Sequence, residues 1–597
     1  MSAMMSVYLS ATVIGLAIVM SILLAKGLCK YRHRFTPGKC MILGLFLGAV
    51  ILFMPIYISK FSDMKLNWFQ TIVASMHNAL RLFILDGDFE IVISYTRALP
   101  SLHQTPYVTL FSILYILCPI YTFNFVILYF ENVSAHRRLI CGYLSDLYIF
   151  SELNEASVAL AADIRKKNRK CLLVFTDVFS KNDEYNYELR QKARDLNAIC
   201  FKKDILNINW KIHSKSSNVY LLIIGSDESE NIKHAVKLSK LYNKQKNFRL
   251  SIFSTSAESK LLFSTIPYEG MKIRRINVIR SLVNKALYEK GYGLFEDARQ
   301  IERDEKLISI ALVGLGKIGQ EMLKSLVWFC QMDGYRVEID AFDKNINSES
   351  MFAALCPELM SPSRNGVYED GEAQYHIRIH SGLDVNTSEF HSCFQRYQPF
   401  TYIFVALGDD AENVAASVYL RMISARMKNR PRIETVIYDV EKIKSLERVT
   451  DYRGNDYCIS YIGGLDALYA ENAVADSDLE MLALERHLKY GTEHDFWAHE
   501  YNYQSSIATA IHMKMRMLCG IPGAEKEEEL LTVDEKYNLE ILEHRRWNAY
   551  MRSEGYVFSG STDKESRDDI AKMHHDLVPF TCLDEEEKEK DAKVATK

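Results

Sequence analysis

Three glycines, Gly314, Gly316 and Gly319, stand in the stretch ALVGLGKIGQE directly after an apolar run. In a phosphate-binding turn each has its own physical job. Gly314 permits the tight turn, Gly316 lets a pyrophosphate approach the backbone, and Gly319 lets a helix pack on its strand. The N–H groups of the first helical turn then face the phosphates. Asp343 ends the following β-rich run, VEIDAFDK, close to the ~20-residue spacing at which a carboxylate accepts the ribose hydroxyls. No arginine follows it directly to favour a 2′-phosphate, so NAD(H) or another adenine nucleotide is the expected ligand rather than NADP. A purely structural glycine turn is the alternative. Hydride transfer would also need an acid or base beside the nicotinamide, and no Ser-Tyr-Lys set or His/Asp pair at a recognisable spacing follows. No catalytic residue is assigned, and the chain is not read as an enzyme.

Such a loop needs a parallel sheet to hold it. From Asp146 onward short β-rich runs alternate with helices, the pattern of βαβ units. DLYIFS, NEASVALAADIRKK and CLLVFTDV read as strand, helix and strand, and VYLLIIGSDESENIKHAVKLSKLY as a strand running through an acidic turn into a helix. The same grammar returns in LISIALVGLGKIGQEMLKSLVWF, VEIDAFDK and YIFVALGDDAENVAASVYLRMI, pairing Glu412-Asn413 with Glu230-Asn231. Two tandem units, residues 146–300 and 307–475, explain the repeat economically. In the first, the equivalent loop reads SELNEAS, where Glu152 and Glu155 would repel a pyrophosphate. It is read as a degenerate copy that packs or dimerises.

The stretch GLGKIGQEM and the acidic turns GSDESEN and GDDAEN resemble the TrkA-N, or RCK-N, family of regulatory domains attached to potassium channels and transporters, over roughly residues 146–470. The resemblance implies Rossmann-like domains that assemble as dimers or rings beneath a membrane module and change its conductance when nucleotide binds. It places Gly314, Gly316, Gly319 and Asp343 on the nucleotide, with Asp409 and Asp410 near its far side. A homo-oligomer is the expected assembly.

A membrane part is expected upstream. Charge-free apolar runs at about 7–25, 40–58 and 107–130 each approach the ~20 residues that cross the hydrocarbon core as a helix. MSAMMS carries no positive charge, whereas Lys26, Lys30, Arg32, Arg34 and Lys39 follow the first run, the reverse of a secretory signal. That basic loop and Arg137-Arg138 predict a multi-pass protein of the cell membrane, with its N-terminus outside and its later domains cytoplasmic. Between the second and third spans, NWFQTIVASMHNALRLFILDGDFE is interrupted by His77, Asn78 and Arg81, and predicts a re-entrant or interfacial helix at about 68–85 within a membrane region ending near 135. In a symmetric oligomer Asp86, Asp88 and Glu90 would ring a pore mouth and attract cations; the other reading is three solvated loop carboxylates. No T-V-G-Y-G-like filter is present.

Residues 490–597 no longer alternate strand with helix and predict a small all-α domain. Within it, EHRRWNAYMRSEGYVFSG and HHDLVPFTCLDEEEKEKD resemble the ryanodine receptor (RyR) repeat domain of prokaryotic proteins, through Glu543, His544, Arg546, Trp547, Gly555 and Tyr556. The resemblance implies a neighbourhood of nucleotide signalling and anti-phage defence. His544, Arg546, Trp547 and Tyr556 form a candidate second ligand site, offering hydrogen bonds, a phosphate-pairing guanidinium and a stacking face. Alternatively Trp547 and Tyr556 are core while Glu543 and Arg546 pair at helical spacing.

Composition narrows the rest. With 72 Lys+Arg against 76 Asp+Glu over 597 residues, the net charge of −4 argues against a nucleic-acid partner. The 12 cysteines form no C-x-x-C pair and no Cys/His cluster, so neither a disulfide framework nor a metal site is expected. The expected fold class is an α-helical membrane part, tandem Rossmann-like α/β domains and a small all-α C-terminal domain. The expected function is nucleotide sensing by a ligand-gated channel or transporter-regulating subunit, with the lipid bilayer and a small nucleotide as partners. An anti-phage membrane effector triggered by a signalling nucleotide is the alternative, and an NAD-dependent oxidoreductase is a third reading without a substrate-pocket signal behind it.

Overall fold

The computed structural model describes residues 37–60, 67–141, 145–178, 183–213, 218–264, 269–368, 373–464, 469 and 478–595. They fall into two compact units, Met1–Arg138 and Leu139–Lys597. The span expected at about 7–25 lies outside the described residues.

The first unit is helical: α1 (Pro37–Ser59), α2 (Trp68–Leu82), α3 (Phe89–Arg97) and α4 (Ser101–Cys141). An Asn67–Gln70 capping box opens α2, each side chain accepting the other's backbone N–H. Among the described residues one stretch, His103–Phe123 of α4, is long and apolar enough to cross a membrane, and Gly44–Ser59 of α1 is a shorter apolar helix. Of the three spans expected, that at 107–130 overlaps this stretch, that at 40–58 lies within α1, and that at 7–25 is outside the described residues. The 15 residues of α2 are too few to cross. Its faces are inverted: Thr71, Ser75 and Asn78 point inward, while Trp68, Phe69, Val73, Met76 and Leu80 are exposed.

The second unit holds two parallel sheets. The first contains β1 (Leu147–Phe150), β2 (Leu172–Phe175), β3 (Ile199–Cys200), β4 (Val219–Ile223), β5 (Phe248–Phe253) and β6 (Lys272–Ile276), in the order β3-β2-β1-β4-β5-β6. Its main helices are α5 (Glu155–Lys167), α6 (Asp183–Asp195), α7 (Glu228–Tyr242), α8 (Ala257–Ser264) and α9 (Val278–Lys290). The second sheet has the same order, β10-β9-β8-β11-β12-β13, from β8 (Glu305–Val313), β9 (Tyr335–Asp343), β10 (His376–Ser381), β11 (Tyr402–Val405), β12 (Arg432–Ile437) and β13 (Ile459–Gly463). A short β7 (Arg299–Glu302) pairs antiparallel with the start of β8. Around this sheet run α10 (Lys317–Phe329), α11 (Ser348–Leu355), α12 (Ser388–Arg396), α13 (Asp410–Arg426) and α14 (Val440–Leu446). Both orders are doubly wound, with the reversal between the first and fourth strands. The central strands β1 and β4 are wholly buried, as parallel strands covered on both faces must be.

The C-terminal helices are α15 (Asp478–His487), α16 (Glu493–Ala498), α17 (Glu500–Leu518), α18 (Val533–Ser553) and α19 (Glu585–Ala595). The expected small all-α domain needs two corrections. A parallel pair, β14 (Val557–Phe558) and β15 (Met573–His574), joins the helices. The helices also share their main core: Ile511, Met515, Leu542 and Met551 lie in one buried cluster with Ile310, Leu326 and Ile339 of the second sheet and α10, beside two small clusters of their own around Leu539 and Phe580. Buried residues occur on every side of α18 from Leu542 to Ser553, which marks a helix enclosed by other elements rather than one lying on a surface. Arg545 reaches Asp333 at 2.6 Å and Arg552 reaches Glu358 at 3.0 Å, fastening α18 to the second sheet's loops.

Candidate functional sites

The glycine loop leaves β8 where β8 lies beside β11, with Val313 opposite Val405. Successive connections there depart to opposite faces and open a crevice at the strand ends. Gly314 has φ +96°, and a Cβ on it would stand 2.4 Å from the Ala406 carbonyl oxygen. On Gly319 a Cβ would lie 1.9 Å from the Gly314 oxygen, so the crossing of loop and helix tolerates no side chain. Gly316 differs. It is the N-cap of α10, makes no side-chain cap, and its Cβ position meets nothing within 4 Å. Asp343 joins this group: its carboxylate accepts the Leu315 N–H at 2.6 Å and the Asn345 N–H at 2.7 Å. Asp409 and Asp410 follow β11, but each already has backbone partners. Asp409 caps α13 by accepting the Ala411 and Glu412 N–H groups at 2.8 and 3.0 Å. Asp410 accepts from Tyr438 and Asp439 across to the β12 loop.

The first sheet fills the corresponding position with its own side chains. Glu152 accepts the Ser226 N–H at 2.7 Å, and Asn154 caps α5 while donating to the Ile224 carbonyl. The rest of the crevice is built alike in both sheets. Asp227 caps α7 as Asp409 caps α13. Asn231 accepts the Gly225 N–H as Asn413 accepts that of Leu407. Glu228 crosses to Thr255 and Ser256 as Asp410 crosses to Tyr438 and Asp439. Burial resists the charge of Glu228, yet these N–H groups and the Ser254 hydroxyl hold its carboxyl below the usual range.

A second candidate is a cleft of about 640 Å³ among α17, α18, α19 and β15. His544, Arg546 and Trp547 line it, whereas Tyr556 is not part of its lining. Glu543 lies between two buried guanidiniums, Arg516 and Arg546, the latter at 2.7 Å. His544 donates to the Val578 carbonyl and meets Asp591 at 3.0 Å; burial opposes its charge, but the Asp591 carboxylate outweighs that and raises its pKa. Trp547 donates its indole N–H to the Tyr501 hydroxyl at 3.3 Å. Three lining residues escape the sequence reading: His574, His575 and Asp576, whose donor atoms all lie within 4.8 Å of one another. The signal was a bare His-His-Asp triplet. Burial and the neighbouring Arg567 push the His574 pKa down to about 3, so its imidazole is neutral.

The acidic triplet of the first unit has local partners. Asp86 pairs with Arg81 at 3.1 Å, Asp88 caps α3 by accepting the Ile91 N–H, and Glu90 sits exposed in the first turn of α3. Helix-end polarity suits Asp88 and Glu90 at the start of α3.

No protein-family model matches this chain, and no curated protein matches it.

Proposed function

We propose that the chain is a nucleotide sensor whose second sheet binds an adenine nucleotide, NAD(H) among the candidates, at Gly314, Gly316, Gly319 and Asp343. One observation carries this reading. Two sheets of the same strand order differ in the turn after their first strand: Glu152 and Asn154 occupy it in the first, while Gly316 leaves the helix N-terminus uncapped in the second. An open N-terminus of a 13-residue helix beside a glycine turn offers N–H groups to a phosphate.

The same proposal places the first unit in a bilayer as a conduit or transporter-regulating part. The inverted faces of α2 support it, since exposed Trp68, Phe69 and Val73 with inward Thr71, Ser75 and Asn78 suit an apolar surrounding. A nucleotide that prefers one arrangement of the paired sheets would then shift the population of the attached helices, with no bond made or broken.

Isothermal titration of the full chain in lipid nanodiscs with NAD+, NADH, ATP and ADP tests the binding step. Gly316→Asp is the matched variant: the side chain has room, a carboxylate at the N-cap is tolerated by the helix, and it repels phosphate. Saturable binding lost in the variant supports the reading, and no heat with any of the four nucleotides overturns it. Ion flux from liposomes, measured with and without the nucleotide that binds, tests the gating step.

A further inference from the structure

The cleft among the C-terminal helices contains a His-His-Asp cluster apart from the glycine loop, in which His574 Nδ1 accepts the Asp576 N–H at 3.2 Å. His574 and His575 are 3% and 6% exposed, and their rings stack 4.8 Å apart with planes 12° from parallel. Stacked in this way, consecutive imidazoles lie side by side on one wall instead of on opposite faces of a strand. The carboxylate of Asp576 reaches the same place, 3.3 Å from His575 Nε2. All three donor sets fall within 4.8 Å of one another.

An independent observation says that this cluster is incomplete. His575 Nδ1 is buried and has no hydrogen-bond partner. A buried ring nitrogen in that condition costs desolvation energy without return unless something completes it. Glu587 and Asp591 line the same cleft, as do Lys564, Arg567 and Lys590. A cation held through His575 Nδ1 would give that nitrogen a partner, with His574 as a second neutral donor and Asp576 as counter-charge.

We propose that His574, His575 and Asp576 bind one divalent first-row transition-metal ion on the wall of this cleft. Two imidazole nitrogens and one carboxylate oxygen suit Zn2+ or its neighbours in the series, whereas Mg2+ and Ca2+ favour all-oxygen sets. Donors must close from their present spacing to roughly 3.4 Å, the tetrahedral edge for bonds of ~2.1 Å, which side-chain torsions supply. Three protein donors leave one position directed to the 640 Å³ space, where water or an oxygen of an entering ligand completes the shell. The site is independent of the glycine loop and stands or falls separately from it.

The test uses the full chain, stripped with a chelator, dialysed against Zn2+ and assayed for bound metal by mass spectrometry, with Co2+ loading followed by visible absorption. The wild type should retain about one zinc per chain more than Asp576→Asn or His574→Ala in dilute zinc, and its affinity should exceed that of Asp576→Asn by at least about tenfold. Visible Co2+ bands should appear in the wild type and fade in the variants. Asp576→Asn preserves size, so an unchanged circular dichroism spectrum with lost metal supports the site even if His574→Ala misfolds. Equal metal uptake by the wild type and a folded Asp576→Asn, or none by the wild type, overturns it.

Discussion

The guanidinium of Arg280, on α9 after the first sheet, donates to Glu321 on the glycine-loop helix at 2.5 Å and, with its other nitrogen, to Glu554 after α18 at 2.6 Å. One half-buried cation thus joins the first sheet, the second sheet and the C-terminal helices. Removing it leaves two half-buried carboxylates without this charge partner. Arg280→Gln should lower stability by about 3–5 kcal/mol in chemical denaturation. Burial works against ionised Glu554, but Arg280, Lys260 and Lys324 prevail and bring its pKa from 4.5 to about 2. A folded pKa below the unfolded one gives stability that is present above about 4.5 and lost as pH falls toward about 2. Melting temperatures across that window should drop steadily in the wild type and change less in Arg280→Gln.

The two outer glycines and the middle one should respond differently to alanine. Gly319→Ala forces its Cβ against the Gly314 oxygen, and the loop must move, at a cost of roughly 1–3 kcal/mol. Gly316→Ala meets nothing and should stay within about 0.5 kcal/mol of the wild type. Thermal denaturation of both variants checks the contrast.

Glu543 separates a structural role from a ligand-binding one in the C-terminal cleft. Its carboxylate is shared by the buried Arg516 and Arg546. Glu543→Gln should cost about 3–5 kcal/mol because two guanidiniums then lack a counter-ion. A variant as stable as the wild type would mean that another anion neutralises the pair.

Trp68 reports on the surroundings of α2. Its ring is exposed on the apolar face. In vesicles with bromine on the acyl chains, part of the tryptophan fluorescence should be quenched, and Trp68→Phe should remove that part. Equal quenching in both would place the ring outside the hydrocarbon.

Several elements were legible without coordinates. Strand-helix alternation from Asp146, the paired Glu-Asn turns and the glycine spacing follow local rules, and the parallel βαβ sheets those rules lead to are present. The acidic turns carry a role that a string of letters does not display: Asp409 caps α13 and Asp410 ties its loop to the one after β12. Helix caps and ligand carboxylates share one composition, and only the positions of the backbone N–H groups tell them apart. The C-terminal module is helical as its sequence suggests, and apolar faces of α17 and α18 join the core beside α10, which no local pattern records.

The sequence by itself determined where the chain turns, which runs become strands and why three positions must lack or can spare a side chain, because backbone sterics and hydrophobic period act over a few residues. Tertiary structure alone decided which charges meet. Arg275 finds Glu500 and Arg280 finds Glu554 across more than two hundred residues, and the cleft around His574 exists only once four separate segments converge. Charge pairing and burial depend on distance in space, and spacing along the chain carries no record of it.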